Sequence, residues 1–228
     1  MTTSRRETRT VQAYQAILDR LMRLVYPPGV CLTEAEVASD LQMTKTPVRE
    51  ALLMASADQL VIARPGAGYQ VTPITLRTIR DLCAYWQLLE SAAVRAACAK
   101  GLTEFDAIAL AEALAVDSDD PFRAHTGAHH LIFDHAGEFY LWREWQRIQV
   151  ELERLLRFAL PSEATDLLSQ RTEALFTNVL RADVTAAITE LDGHIADLQA
   201  ALIDGLLSSD TRLPPSLSRG DISGGDRP

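Results

Sequence analysis

Cysteine is scarce in this chain and scattered: Cys31, Cys83 and Cys98 stand in separate contexts, and no two form a CxxC pair. An odd, dispersed set excludes a disulfide framework and a thiolate zinc knuckle, and points to reduced cytosolic thiols. Long hydrophobic runs are lacking as well. Although 47% of the 228 residues are apolar, no uninterrupted stretch reaches the roughly 18 residues that a bilayer span requires. A secretory core is missing too, because MTTSRRETRTV is soon followed by Gln12, Tyr14, Gln15, Asp19 and Arg20. The expectation is a soluble, cytoplasmic chain with no membrane partner. What is present, an ample apolar fraction in short periodic runs, argues against overall disorder and allows two modest domains.

Positive charge is in short supply overall, with a formal net charge of −9, which at first sight disfavours a nucleic-acid partner. The distribution reverses that inference. Residues 1–73 hold eight Lys/Arg against seven Asp/Glu, while the remaining 155 hold 14 against 24. The acidity belongs to the second part, and a domain of near-zero charge can still present a basic face.

From Thr8 to about Val25, apolar residues recur at helical spacing (Val11, Tyr14, Ile17, Leu18, Leu21, Leu24) until Tyr26-Pro27-Pro28-Gly29 stops the pattern. A second, short helix starts at Thr33, with Glu36 three residues on completing a capping box, and ends near Leu41-Gln42-Met43. Thr44 is expected to cap a third helix, KTPVREALLMASADQL, where Pro47 is tolerated in the first turn. Two short helices around a tight turn form a helix-turn-helix. Next, Leu60-Val61-Ile62-Ala63 and Tyr69-Gln70-Val71-Thr72 flank Arg64-Pro65-Gly66-Ala67-Gly68, which predicts a small hairpin, the wing. Pro73 closes this unit. From Leu76 to about Leu207 the pattern is helical, with breaks near Gly101, at Asp117–Pro121, near Gly137 and at Pro161, giving six helices without a strand. The fold class is therefore mainly α: a winged helix-turn-helix over residues 1–73, an antiparallel helical bundle over 76–207, and a disordered Ser/Gly/Pro/Asp-rich tail over 208–228.

The segment PPGVCLTEAEVASDLQMTKTPVREAL with the following Gly-bearing wing resembles the GntR family of bacterial regulators over about residues 11–73. The resemblance implies a DNA-binding domain whose third helix is the recognition helix. Physically, Thr44, Lys45 and Thr46 stand at a helix N-terminus, where free amides and short side chains meet phosphates, and Arg49 lies one turn in, able to reach a base edge. Arg49 is assigned to guanine readout, Lys45 to phosphate or guanine, Thr44 and Thr46 to phosphate positioning, and Arg64 and Gly66 to the wing's approach to the minor groove. Glu50, Ala51, Leu52 and Gly68 are expected to serve packing or the turn. Lys45 stands where arginine is usual and Ala67 where a basic or polar wing residue is common, and lysine lacks the bidentate fork.

The helical part resembles the effector domain of the FadR subfamily, the FCD type, through LLESAAVRAA, HTGAHHLIFDHAGEFYL and VLRADVTAAITELDGHI. The resemblance implies a helical small-molecule pocket and, in many members, a divalent metal such as Zn, Ni or Mn held by an Asp and three histidines. Carried over by position, His125 takes the place of the Asp, His129 of the first His, Thr172 of the second and His194 of the last. Independently, His125 and His129 sit i and i+4 on one helical face, so both can address one ion. Two readings stand: a three-imidazole metal site, or histidines lining a polar pocket that contact an effector directly. Trp86 and Thr172 are assigned to the effector pocket. Trp86 also stands where many relatives place an arginine, four residues before Glu90, that clamps a carboxylate effector. Phe133, Phe139, Tyr140, Trp142 and Trp145 are expected to be helical core.

The functional expectation is a homodimeric repressor that reads a short inverted repeat in double-stranded operator DNA and is released by a small-molecule effector such as an organic acid. A regulator in which the divalent ion is itself the signal is the alternative. An enzyme is not expected, because no general base stands beside the histidines: Asp134 lies on a different helical face.

Overall fold

The computed structural model describes residues 8–101 and 120–208. The order is α1 (Arg9–Met22), β1 (Cys31–Leu32), α2 (Glu34–Asp40), α3 (Lys45–Ala57), β2 (Val61–Arg64), β3 (Gly68–Val71), α4 (Leu76–Lys100), α5 (Pro121–Ala136), α6 (Phe139–Ala159), a 3-10 turn (Ser162–Ala164), α7 (Asp166–Leu180) and α8 (Val184–Ser208). The expected mainly helical class, with a small sheet after the N-terminal helices, is what the chain adopts. One of the six helices expected in the second part falls on residues 102–119, and the tail from 209 onward lies beyond Ser208; both are outside the described residues.

Local chemistry sets the boundaries of the first three helices. Thr8 caps α1 by accepting from the Val11 amide, and Thr33 and Glu36 make both halves of the expected capping box on α2. Thr44 departs from expectation: it occupies the N-cap of α3, but its side chain makes no capping hydrogen bond. Helices α1 and α3 pack together over Ala13, Ile17, Leu21, Val48, Ala51, Leu52 and Ala55, all fully buried. Burial of each large aliphatic residue is worth about 1.5–3 kcal/mol.

The wing is a three-stranded sheet, not a lone hairpin. Cys31 and Leu32 pair antiparallel with Gln70 and Tyr69, placing β3 between β1 and β2. Two residues were too short a run to register as a strand in the sequence, and only the partner strand makes them one. The ladder from Val61↔Val71 to Arg64↔Gly68 closes the hairpin. Gly68 is required twice over: its φ is +88°, and a Cβ there would lie 2.4 Å from the Leu32 carbonyl oxygen.

Thr75 caps the 25-residue α4 in a capping box with Thr78. A second, separate core forms around α4 to α8, with Trp86, Ala93, Phe133, Trp145, Leu152, Leu156, Leu191 and Leu198 among its buried members. Helix α8 passes so close to the end of α6 that a Cβ on Gly205 would lie 1.7 Å from the Ala159 carbonyl oxygen. Among the described residues no helix is long and apolar enough to cross a membrane, and the three cysteines are unpaired.

The two cores meet through α6. Val150 packs against the N-terminal cluster, and the fully buried Arg154 donates from Nη1 to the Thr72 carbonyl at 2.8 Å and from Nη2 to Glu151 at 2.7 Å. A guanidinium withdrawn from water in this way ties the last residue of the wing to the helical part.

Candidate nucleic-acid interface and histidine centre

Four of the residues assigned to DNA fall on one accessible stretch of the N-terminal domain. Thr44, Lys45, Thr46 and Arg49 are all exposed at the start of α3, while Val48, Ala51 and Leu52 turn inward. Because Thr44 does not cap its own helix, its hydroxyl is free of that duty, and the first amides of α3 point outward with the positive end of the helix dipole. Arg49 makes only a loose pair with Glu34, 3.7 Å apart with the arginine 69% exposed. Such a surface pair contributes about 0–1 kcal/mol, little enough to give up for a base edge. Glu50 accepts a hydrogen bond from Thr10 across to α1, which fits its expected supporting role.

On the wing, Gly66 is exposed at φ +74° with open space around it. Arg64 is exposed as well, but its Nε and Nη2 donate to Gln70 Oε1 at 3.1 and 2.5 Å, and Gln70 in turn donates to the Gly29 carbonyl. The arginine is thus presented in a set direction by the strand beside it. That cross-strand support has no signal in the sequence, since Gln70 lies six residues away and meets Arg64 only through the ladder.

In the helical part, His125 and His129 on α5 and His194 on α8 converge in the core, each no more than 2% exposed. They form a group that could hold a metal ion, with ligand atoms all within 4.8 Å of one another. Ring centroids are 4.4 Å apart for His125 and His129, 5.1 Å for His125 and His194, and 5.4 Å for His129 and His194. Trp86 stands edge-on to all three at 5.2–5.8 Å. It is both core and wall.

Hydrogen bonds decide which nitrogens face the centre. Thr172 Oγ1 donates to the Leu168 carbonyl, so its lone pair can accept from His125 Nδ1, 3.2 Å away. His129 Nδ1 lies 2.5 Å from Glu90 Oε1, and the other oxygen of that carboxylate accepts from Trp86 Nε1. Four imidazole nitrogens are left buried without a hydrogen-bond partner among the described residues: Nε2 of His125, Nε2 of His129, and both nitrogens of His194. An orphaned buried polar atom costs roughly 1–3 kcal/mol, so four in one place are a feature needing a cause. Burial, reinforced by the neighbouring imidazoles, holds His125 well below the usual 6.5. Burial, with His129 and Arg171 nearby, does the same to His194. Both are neutral at neutral pH, the form in which imidazole ligates metals.

Sequence reasoning brought His125, His129, His194, Trp86 and Thr172 to one place, and the fold assembles them there. It missed Glu90 as a partner of His129; the available signal was its i,i+4 spacing from Trp86 in the middle of an apolar helix face. Of the aromatic cluster, Phe133 and Trp145 are buried and stacked at 4.6 Å, and Trp142 covers His130, but Phe139 and Tyr140 are 67% and 70% exposed and are not core. They begin α6 just after Gly137, whose φ is +67°, and the Arg143 guanidinium covers the Tyr140 ring at 5.0 Å.

Residues 9–71 match the family of bacterial regulatory proteins called the gntR family. The HTH-type transcriptional repressor RspR of Escherichia coli is 24% identical over 201 residues, covering 84% of this chain and 87% of that one. The HTH-type transcriptional regulator in the TAR-I ttuE-ttuC' intergenic region of Agrobacterium vitis is 33% identical over 111 residues, a match that spans 49% of this chain and 62% of the relative. Among solved structures, Escherichia coli McbR/YncC superposes with a TM-score of 0.69 at 20% identity over 88% of this chain and 99% of its own. A chain described as a GntR transcriptional regulator from Rhodococcus sp. RHA1 gives 0.71 at 19%, over 87% and 99%. These likenesses extend the same fold across both parts of the molecule. The family match itself is confined to the N-terminal domain, the part that carries the exposed start of α3 and the wing.

Proposed function

We propose that the chain is a homodimeric repressor that binds operator DNA through Thr44, Lys45, Thr46, Arg49, Arg64 and Gly66, and whose helical part, of the FCD type, senses a ligand at the histidine centre. Two recognition helices in a dimer would read a short inverted repeat. The observation that carries the sensing half is the set of buried, unpartnered imidazole nitrogens at one point of the core. Three imidazoles with unpartnered ring nitrogens suit a borderline divalent ion such as Zn, Ni or Mn, with His125, His129 and His194 as ligands. Thr172 orients His125 instead of ligating, and Trp86 walls the centre on one side. Occupancy would be felt at the DNA through α6, which carries Trp145, packed near His129, and Arg154, bonded to the wing residue Thr72.

A second reading has an observation of its own. The rings stand centroid to centroid at 4.4–5.4 Å under the edge of Trp86, a spacing suited to an ion more than to an organic acid. The ion is then itself the signal.

The test is a gel shift with the DNA upstream of the chain's own gene, with Zn, Ni or Mn added alone and then with small organic acids. Specific binding by a dimer, weakened by an added ligand, is the expected result. No binding at low salt together with a monomeric mass overturns the reading. Release by metal alone selects the second reading; release only by acid plus metal selects the first.

A further inference from the structure

Glu90 is fully buried in the middle of α4, and among the described residues no hydrogen bond or ion pair joins it to an arginine or lysine. Its two oxygens are used by the Trp86 indole N–H and by His129 Nδ1. A carboxylate taken out of water must have its oxygens held by hydrogen bonds, and one so held fixes in turn the group it bonds. The geometry of the pair sets the direction in which the ring of His129 is aimed. With Nδ1 committed to Glu90, its Nε2 is the nitrogen left facing His125 and His194.

We propose that Glu90 is the positioning residue of the histidine centre, fixing the tautomer and plane of His129 and setting a carboxylate just outside a ligand set of His125, His129 and His194. This rests on the metal reading given above. The carboxylate does not touch the ion. It acts through the imidazole, raising the basicity of Nε2 while Trp86 holds its second oxygen in place. Thr172 plays the same orienting part for His125 without the charge. The two supports differ in a way that can be measured: removing Glu90 removes orientation and charge, whereas Thr172→Val removes orientation alone.

The experiment uses the full chain stripped with a chelator and titrated with zinc against a chromophoric competitor at neutral pH, in wild type, Glu90→Gln and Thr172→Val. Glu90→Gln is expected to weaken zinc by roughly 10- to 100-fold, and Thr172→Val by less. Nitrogen-15 NMR of the metal-free wild type is expected to show the His129 proton on Nδ1. This readout does not depend on any variant folding. A His129 proton on Nε2 overturns the assignment, as does a folded Glu90→Gln chain with wild-type zinc affinity. Wild type that takes up no zinc overturns the metal reading and this assignment together, which separates the two failures.

Discussion

The recognition helix and the histidine centre use polar residues in opposite ways. At the start of α3, Lys45 and Arg49 stand in water, loosely held, and contribute nothing to the fold's core. At the centre, His125, His129, His194, Glu90 and Thr172 are all fully or almost fully buried, where every unpaired atom has a cost in stability. The contrast fits the roles proposed for the two regions: a phosphate backbone is met by exposed charge, and a ligand that must report its presence to the rest of the molecule is met by groups the core itself is built around.

The sharpest way to break the comparison is His129→Ala. It is expected to abolish stoichiometric metal uptake, checked by metal analysis of the purified chain, and with it the ligand-linked stability, about 4 kcal/mol at an ion concentration 1,000 times the dissociation constant. An exposed recognition residue changed in the same way should leave melting temperature unmoved. The metal-free protein carries a pH signature in the same region. Because the folded forms of His125 and His194 titrate below 6.5, their neutral burial is fully compatible with folding above that pH, and stability is lost as pH falls through 6.5 and the unfolded chain takes up protons. Denaturant midpoints between pH 7.5 and 5 check it, and zinc should flatten the profile.

Next in size, Arg154→Ala leaves the Thr72 carbonyl and Glu151 without their shared donor and is expected to cost about 3 kcal/mol in urea unfolding. Because this bond joins the two regions, the variant should also uncouple metal from DNA affinity, seen as equal gel-shift midpoints with and without zinc. Arg49→Ala should cost about 1–3 kcal/mol of operator affinity and relax preference at one base position, with unchanged thermal stability. Smallest, Lys45→Ala should weaken specific and non-specific DNA alike and lower the salt-dependence slope by about 1. A Lys45 variant that discriminated among operators would move that residue from phosphate positioning to base readout.

How much of this was legible beforehand follows the same divide. The helix-turn-helix could be read because its signals are local: Thr33 and Glu36 are three residues apart, and TKTPVREAL is one uninterrupted string. The histidines could be read in part, since His125 and His129 share a helix face, while His194 came through the family resemblance alone. What spacing could not reveal were contacts between distant segments. The strand Cys31–Leu32 exists only because Tyr69 and Gln70 lie beside it. Glu90 meets His129 across 39 positions and Arg154 meets Thr72 across 82. Phe139 and Tyr140 are aromatic and helical, which argues for core, yet both stand exposed at the start of α6. The resemblance marks aspartate as usual at position 125 and arginine as usual at position 86. Here His125 and Trp86 stand in those places, and only the packed helices show that both lie beside His129, with Trp86 bonded to Glu90.

By itself the sequence determined the mainly helical class, the capping box of α2 and the lack of an uninterrupted apolar run of bilayer length, because helix periodicity, capping and turn chemistry act over a few residues. The tertiary structure decided which nitrogens of the histidines are bound and which are free, what Trp86 and Thr172 do, and how the wing is tied to the helical core. Those depend on the directions of hydrogen bonds between helices that are far apart in the chain, and direction across a packed interface is fixed only when the interface forms.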